Sequence, residues 1–294
     1  MLQSHHRLRQ ASPDLIISHN SRATSVLAHA RCGLRIPQLA FAHSYKYRRM
    51  VGTDHLIVLT DHMKQHFTAH SFSSERLHVL PNMLVDFPEA PLPLPAPGKE
   101  IHLGFMGRLS IEKGIDDLID AFYILRMKGY PVRLHIAGSG NGCKQLEEKV
   151  KSLHLTGDVI FNGWVEDVRS WLTSIDLVVI PSREETFGIA ILEAHAHGRP
   201  VVSTTAPGPT SQITHGVNGW IAQAGDPQSL AGTISQAIQE TKQWPQIIGA
   251  GRDSARTHCM KELLPVIGSL ILNAQEYDKR KTQTQSVLEE RTRS

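Results

Sequence analysis

The chain has 294 residues, of which 40% are hydrophobic and 20% are charged, a composition typical of globular proteins and a length sufficient for two domains. The net charge of +3 is too small to indicate a nucleic-acid partner, although it is compatible with peripheral contact with an anionic membrane. No apolar run reaches the length of a membrane span and residues 1–7 lack the pattern of a signal peptide. We therefore expect a cytoplasmic protein, at most peripheral at the inner face of the cytoplasmic membrane.

The first 87 residues predict a small parallel α/β domain. Short apolar runs indicate four strands, at Leu15–Ser18, Gln38–Ala42, His55–Leu59 and Leu77–Leu80. The proline-rich run 88–98 cannot form a helix or a central strand, so we interpret it as a stiff interdomain linker.

Residues 99–260 alternate strands with amphipathic helices, which predicts a second parallel sheet with helices on both faces. The predicted strands are 101–106, 132–137, 158–161, 176–180, 200–204 and 219–222, and the predicted helices are 113–128, 142–153, 166–173, 186–197 and 227–240. A further helix at 261–276 and a polar tail from Tyr277 complete residues 261–294.

Histidine and cysteine patterns do not predict a metal site. His62, His66 and His70 recur at helical spacing, but no carboxylate or cysteine completes a ligand shell, so a helix that exposes its histidines is the favoured interpretation. His195 and His197 are expected to be packing or surface residues. The cysteines, which indicate a reducing compartment, are scattered and lack metal spacing: Cys32, Cys143 and Cys259.

A basic and aromatic segment follows the second predicted strand. Its composition suits contact with an anionic acceptor or a membrane, while a solvated loop is the more common meaning of such a cluster. The segment contains Tyr45, Lys46, Tyr47, Arg48 and Arg49.

Two glutamates, Glu185 and Glu193, stand eight positions apart where a buried strand passes into a helix. If the helix begins at once, both carboxylates face the same side of it. Two glutamates on a helix usually belong to a solvated face. Here the flank 187–192 is almost entirely apolar, so we expect a buried helix whose carboxylates need partners.

A second motif, at 107–114, runs from a strand through a glycine-bearing turn into a helix. Arg108 and Lys113 are its only cations, and Gly107 and Gly114 let the loop fold closely. Two cations beside a helix N-terminus suit a diphosphate, because the helix dipole adds to both charges. The alternative is that these two residues are ordinary surface cations at a helix start. That interpretation is disfavoured by the segment from Glu185 to Glu193 downstream, which we call the E-x7-E segment.

The stretch from about Ile101 to Gln239 resembles the donor-nucleotide domain of the retaining family 4 glycosyltransferases, which have the two-domain GT-B fold. The matching marks are Gly107-Arg108 with Lys113-Gly114, Ile136-Ala137-Gly138-Ser139-Gly140, Phe161-Asn162-Gly163-Trp164-Val165, the E-x7-E segment, Gly198-Arg199-Pro200-Val201-Val202 and Asn218-Gly219-Trp220. The resemblance implies an α/β protein with two Rossmann-like, doubly wound parallel-sheet domains, the N-terminal one incomplete.

The resemblance also implies a role for each site residue. Arg108 and Lys113 would neutralise the donor diphosphate, Glu185 would face the donor sugar, and His43 would lie over that sugar from the first domain. Glu193 would bind the ribose hydroxyls. The other implied donor-binding residues are Gly107, Gly138, Gly140, Trp164, Val165, Phe187, Gly188 and Ile189.

The resemblance implies transfer of a hexose-type sugar from a nucleotide sugar to a glycan or lipid-linked acceptor, with retention and without a metal or other cofactor. A UDP- or GDP-sugar is the donor expected. Synthesis of bacterial surface polysaccharide or lipopolysaccharide is the expected context. Another GT-B enzyme, such as an epimerase or phosphorylase, is disfavoured by the two motifs, and a nicotinamide-binding protein by the missing third glycine after Gly138-Ser139-Gly140.

Three features depart from the family. The first domain is about half the usual size, so we expect an exposed sheet edge at 15–18 and self-association through that edge. The short domain also suggests an alternative function, in which the chain is an inactive nucleotide-sugar-binding remnant or one part of a split enzyme. Thr186 stands where relatives often have glycine. No acid is present at Ser211 or Gln212, where many relatives carry glutamate.

Overall fold

The computed structural model describes residues 2–94 and 100–275. The described residues up to Asn82, together with those from Lys261 onward, form one compact unit, and Met83–Met260 forms a second. The end of the predicted linker (95–98) and the polar tail from Tyr277 lie outside the described residues. None of the helices in the described part of the chain combines the length and apolar character that crossing a bilayer needs.

The first unit is built on a four-stranded parallel sheet in the order β1-β2-β3-β4. Its elements are α1 (Leu2–Ala11), β1 (Ile16–His19), α2 (Ser21–Ala30), β2 (Gln38–Ala42), β3 (His55–Val58), α3 (Asp61–Ala69) and β4 (Leu77–Val79). Helical residues 261–275 pack on the same core through apolar side chains that meet Leu39, Ile57 and Leu80.

β1 lies at one edge of this sheet. Burial alternates along it, with Ile16 buried and Ile17 47% exposed, so one face of the strand packs on the core while the other is open. The four predicted strands of this unit are confirmed to within a residue. Self-association through the β1 edge stays a prediction.

The second unit is built on a six-stranded parallel sheet in the order β10-β9-β8-β5-β6-β7. Its strands are β5 (Ile101–Met106), β6 (Val132–Ala137), β7 (Val159–Gly163), β8 (Leu177–Ile180), β9 (Val201–Thr204) and β10 (Trp220–Ala222). Its helices are α4 (Ile115–Met127), α5 (Cys143–Ser152), α6 (Val168–Leu172), α7 (Ile189–Ala196), α8 (Pro207–Thr210), α9 (Pro227–Gln239) and α10 (Trp244–Arg256).

The strand order creates a switch point beside β5. From β5 the chain proceeds outward through β6 and β7, and then returns to the other side of β5 through β8, β9 and β10. The loops that leave β5 and β8 therefore diverge, and in open α/β sheets a ligand binds in the crevice that such a divergence opens at the carboxyl ends of the strands.

Both faces of this sheet are covered by apolar side chains. One face packs against α4, α9 and α10 around Phe105, Phe122 and Trp220, while the other packs against α6 and α7. The described start of the predicted linker lies on the second unit: Leu92 is buried and its N–H donates to the His197 carbonyl oxygen at 2.8 Å. Residues 88–94 are thus held against this unit by packing and backbone hydrogen bonds. The predicted domain bounds stay a prediction.

Candidate functional site

The E-x7-E segment crosses from a loop into a helix. α7 begins only at Ile189, and its N-cap Gly188 has φ 92°, a left-handed conformation that glycine adopts without strain. The predicted helix start at 186 was therefore three residues early. The condition under which Glu185 and Glu193 would share one helix face is not met, because the glycine turn separates them and only Glu193 is helical.

Glu185 forms an ion pair with Lys113, across the switch point between the loops after β8 and β5. The two side chains are only 12% and 18% exposed, so solvent screens the pair weakly. Arg108 is exposed on the same loop and has no ion-pair partner among residues 2–94 and 100–275. One predicted diphosphate cation is thus held in place by a carboxylate, while the other is open to a ligand.

Arg183 holds these two loops together. Its guanidinium donates to Asp116 at 2.7 Å and also to Asp117, both in the first turn of α4, and to the carbonyl oxygen of Ile111 at 3.1 Å. Its backbone N–H donates to the backbone carbonyl oxygen of Glu112 at 2.9 Å. Burial raises the pKa of the Asp117 carboxyl, and the hydrogen bond from Arg183 opposes that shift. This clamp fixes where Lys113 meets Glu185.

The glycine turn before α7 rests on the loop after β9. The buried Gln212 amide donates to the carbonyl oxygens of Phe187 and Gly188, and the Gly208 N–H donates to the backbone carbonyl oxygen of Glu185 at 2.9 Å. In a trans peptide the N–H points opposite to the carbonyl. Gln212 therefore aims the N–H groups of Gly188 and Ile189 away from itself, and no acceptor in the described part of the chain receives them.

Glu193 lines a cavity of about 340 Å³ at the carboxyl ends of β5, β6 and β7. Burial raises the pKa of its carboxyl, and no side-chain hydrogen bond to it occurs among the described residues. Trp164 is 73% exposed and borders the same cavity. The other lining residues are Met106, Gly107, Ala137, Gly138, Val165, Glu166, Val168, Trp171, Ile189 and Ala190.

The packing of two loops requires glycine at positions 138 and 140. Gly138 has φ +137°, and a Cβ there would overlap the Gly107 carbonyl oxygen; a Cβ at Gly140 would overlap the Leu109 carbonyl oxygen. The loops after β5 and β6 also exchange backbone hydrogen bonds, such as Gly107 N–H to Ala137 at 3.0 Å. The glycines let these loops touch, and Gly138 then lines the cavity.

Residues 86–254, more than half of the chain, match the family model described as glycosyl transferases group 1. The chain belongs to the group 1 glycosyltransferases. It is 28% identical over 259 residues to the lipopolysaccharide core biosynthesis glycosyltransferase LpsE of Rhizobium meliloti (strain 1021), a match that covers 86% of this chain and 74% of LpsE.

Among solved structures, HepE of Anabaena in complex with UDP has a TM-score of 0.81 at 23% identity, over 92% of this chain and 82% of HepE. This likeness confirms the predicted GT-B fold. Against mannosylfructose-phosphate synthase of Agrobacterium fabrum the identity is 34% over 162 residues, 52% of this chain and 36% of that protein. The chain spans little more than a third of the length of several curated relatives.

The remaining site residues predicted for this glycosyltransferase are also placed. Phe187 is buried, and its carbonyl oxygen accepts a hydrogen bond from Gln212. The φ of Thr186 is not positive, so the loop does not need glycine there. His43 lies in the first unit, after β2, and its Nε2 atom is 3.3 Å from Nδ1 of His19. Burial and His19 lower the pKa of His43.

The histidines that were weighed as a metal stripe are engaged with tyrosines. The His62 ring hydrogen-bonds the Tyr45 hydroxyl at 2.8 Å, and the His66 ring reaches the Tyr45 carbonyl oxygen at 3.1 Å. His70 lies one residue beyond α3. Across the described ranges, no three His, Cys, Asp or Glu side chains are grouped so that they could hold a metal ion.

The sequence prediction missed two parts of this glycosyltransferase site. One is the Arg183 clamp, whose signal is an arginine just after a strand and two aspartates in the first turn of another helix. The other is the apolar cavity wall from Val168 and Trp171 in α6, where the Trp171 indole donates to the Asn162 side chain at 3.2 Å. The sequence signal for this wall was Trp171, a second tryptophan that lies close to Trp164 in the chain.

Replacing Gln212 by methionine is expected to lower the free energy of unfolding by about 1–3 kcal/mol, because two buried carbonyl groups lose their donor. The N–H groups of Gly188 and Ile189 also lose their fixed direction. Urea unfolding measures the first effect. Gln228→Met, at an exposed position of α9, is the matched control, and equal losses in both variants would contradict the role of Gln212.

Gly138→Ala is expected to lower the free energy of unfolding by about 2–5 kcal/mol, since the new methyl group meets the Gly107 carbonyl at a left-handed backbone position. Gly225→Ala is the control: Gly225 has φ +71° but no atom within 4 Å of its Cβ direction, so about 1–2 kcal/mol is expected. Thermal or urea unfolding compares them. If Gly138→Ala lowers the free energy of unfolding no more than Gly225→Ala does, the loops after β5 and β6 can separate without cost.

Proposed function

We propose that this chain transfers a hexose-type sugar from a nucleotide sugar to a saccharide or lipid-linked acceptor in the synthesis of bacterial surface polysaccharide or lipopolysaccharide. One observation carries the proposal. Glu193 lines a cavity at the carboxyl ends of the strands, and its carboxylate has no hydrogen-bond partner among the described residues. Arg108 and Lys113 lie on the loop that follows one of these strands, β5. The family and the relatives concerned with lipopolysaccharide core biosynthesis support it.

The nucleoside would occupy the cavity. An ionised carboxylate accepts hydrogen bonds only, so Glu193 suits the two adjacent hydroxyls of a ribose. The exposed ring of Trp164 and the side chain of Val165 offer an apolar border for the base. HepE has been solved with UDP and with UDP and glucose, which supports a uridine or similar nucleotide here, with GDP as the alternative.

The diphosphate would bind between Arg108 and Lys113. As the bond between the anomeric carbon and the phosphate oxygen breaks, its electron pair stays on that oxygen, and both cations stabilise the growing negative charge. The acceptor hydroxyl oxygen then bonds to the anomeric carbon and passes its proton to the freed phosphate oxygen of the nucleoside diphosphate. Because two positive charges of the protein serve the diphosphate, we expect turnover in the presence of EDTA.

The donor sugar would lie over the glycine turn. The N–H groups of Gly188 and Ile189 suit its hydroxyl oxygens, and Glu185 would accept hydrogen bonds from the same sugar while it holds Lys113. Glu185 stands apart from Glu193, so each carboxylate serves a different part of the donor. Retention of the anomeric configuration and a catalytic role of His43 belong to this proposal.

The test is a transfer assay with UDP-glucose, UDP-galactose and GDP-mannose and a mixed glycan acceptor set, in which nucleoside diphosphate release and labelled product are both measured. NMR of the product linkage gives the anomeric configuration. Product that forms with retention supports the proposal. Donor binding without release or transfer would identify an inactive binder, and inversion would remove retention from the account. We expect this activity in the cytoplasmic fraction, with or without peripheral membrane contact.

A further inference from the structure

A second cavity, also of about 340 Å³, lies in the first unit and is lined by Tyr45, Lys46, Tyr47, Arg48 and Arg49. We call it the basic cavity. Its residues follow β2 and include a short 3-10 turn at Tyr47–Arg49. The next residue, Met50, is fully buried and its N–H donates to the Tyr47 carbonyl at 2.8 Å. The segment is therefore anchored on the core rather than freely solvated.

Histidines in α3 and at its C-cap hold the two tyrosines of the basic cavity. The Tyr45 hydroxyl bonds to His62, as described above, and the Tyr47 ring lies 3.8 Å from the His70 ring, measured between centroids. The His66 ring meets the Tyr45 ring edge-on at 5.0 Å. These contacts restrict both tyrosine rings, so their faces form a fixed wall and lose little conformational entropy when a ligand binds.

The cations of the basic cavity lack a counter-charge. Lys46, Arg48 and Arg49 are exposed, and in the described residues no carboxylate lies within ion-pair distance of any of them. Arg48 and Tyr47 line the same cavity, so the guanidinium lies beside the tyrosine wall. Three like charges on neighbouring residues repel one another, and an anion in the cavity offsets that repulsion.

We propose that the basic cavity binds a phosphate monoester or diphosphate attached to a saccharide, as part of the acceptor. Arginine side chains bind phosphate oxygens bidentately, lysine adds a point charge, and the tyrosine faces offer an apolar wall for the adjoining sugar ring. The acceptor role rests on the proposed transferase function. The phosphate site itself does not, because it consists of residues of the first unit alone.

The experiment is calorimetric titration of the full chain with glucose 6-phosphate, inorganic pyrophosphate and, as the neutral comparison, glucose. The protein carries Arg108→Ala and Lys113→Ala, which removes the diphosphate cations of the second unit. We expect both phosphates to bind and glucose not to. Arg48→Gln with Arg49→Gln should weaken phosphate binding at least about tenfold, whereas Arg7→Gln with Arg9→Gln, the same charge change on exposed α1, should leave it unchanged.

Vesicles distinguish a lipid headgroup from a saccharide phosphate. The same variants are sedimented with phosphatidylcholine vesicles with and without 30% phosphatidylglycerol, a composition chosen for the test. Binding to the anionic vesicles alone, without binding of either soluble phosphate, would overturn the proposal in favour of a membrane surface. Equal losses in the two arginine pairs would also overturn it, since net charge would then explain the effect. Failure of the wild-type chain to bind any nucleotide sugar would instead count against the proposed function.

Discussion

Arg108→Ala is expected to lower kcat by about 10²–10³-fold and to leave the free energy of unfolding almost unchanged. Fixed positive charge beside a leaving group typically contributes this much, because it stabilises the transition state more than the bound donor. Arg108 is exposed and has no ion-pair partner in the described part of the chain, so the fold loses little when it is removed. The measurement is nucleoside diphosphate release at saturating donor, together with urea unfolding.

Lys113→Ala is expected to lower kcat by a similar factor but also to destabilise the fold. Removal of Lys113 leaves the Glu185 carboxylate, only 12% exposed, without its cation, which costs about 1–3 kcal/mol. Adding Glu185→Gln should restore most of the stability without restoring kcat.

Lys128→Ala is the control for both variants, since Lys128 is exposed at the opposite end of α4. If this control loses kcat as Arg108→Ala and Lys113→Ala do, overall charge rather than the two cations controls turnover. A stable Lys113→Ala variant with full activity would remove the ion pair from the mechanism.

Glu193→Gln is expected to weaken nucleoside diphosphate binding by about 10–100-fold, because hydrogen bonds to a charged acceptor are the stronger kind. A comparison of UDP with its 2′- and 3′-deoxy analogues shows whether the loss is local. The double-mutant cycle between protein and ligand should show coupling, with a smaller effect of Glu193→Gln on the deoxy analogues. Equal losses for all three nucleotides would contradict the ribose assignment.

The same substitution is expected to stabilise the free protein at neutral pH. Burial raises the pKa of Glu193 above its value of 4.5 in an unfolded chain, so the native state binds the proton more tightly than the unfolded state. Its contribution to stability is present below the unfolded pKa and is lost as the pH rises through the higher folded pKa. Urea unfolding at pH 8 should show Glu193→Gln to be the more stable form, with a smaller difference near pH 4.

Nucleotide affinity should change with pH in the opposite sense. As the pH falls through the raised pKa of Glu193, the carboxyl gains a proton and becomes a poorer acceptor for the ribose hydroxyls. Affinity of the wild type should therefore fall toward acid pH, while that of Glu193→Gln should change less. Parallel pH profiles in the two proteins would assign the titration to another group.

The sheet of the second unit could be predicted because its strands are short segments rich in apolar residues that alternate with amphipathic helical segments. Residues 101–106 and 132–137 were predicted with the bounds that the structure has, although His102, Arg133 and His135 interrupt their apolar character. Helix α10 was not predicted, because the polar run before Trp244 and the proline after it suggest a loop. Proline in the first helical turn is compatible with a helix, and the buried face of α10 decides the matter.

Local sequence patterns did not predict the details of the site. The residues after Pro181 have a helical composition, yet Gly188 and the underlying Gln212 delay the start of α7 to Ile189. Because Gln212 is remote in sequence, its effect could not be predicted from the segment itself. The contact of Gly138 with Gly107 likewise depends on how two loops meet. Arg183 could have been noticed as a cation after a strand, but only the fold brings Asp116 and Asp117 to it. Such tertiary contacts override local propensity.

The most direct test of the donor site is calorimetric titration of the full chain with UDP-, GDP- and ADP-sugars. We predict saturable one-to-one binding of at least one of them, weakened by Glu193→Gln and lost when Arg108 and Lys113 are both replaced by alanine. Absence of binding to every donor, or binding that the double variant retains in full, would contradict the assignment of this crevice.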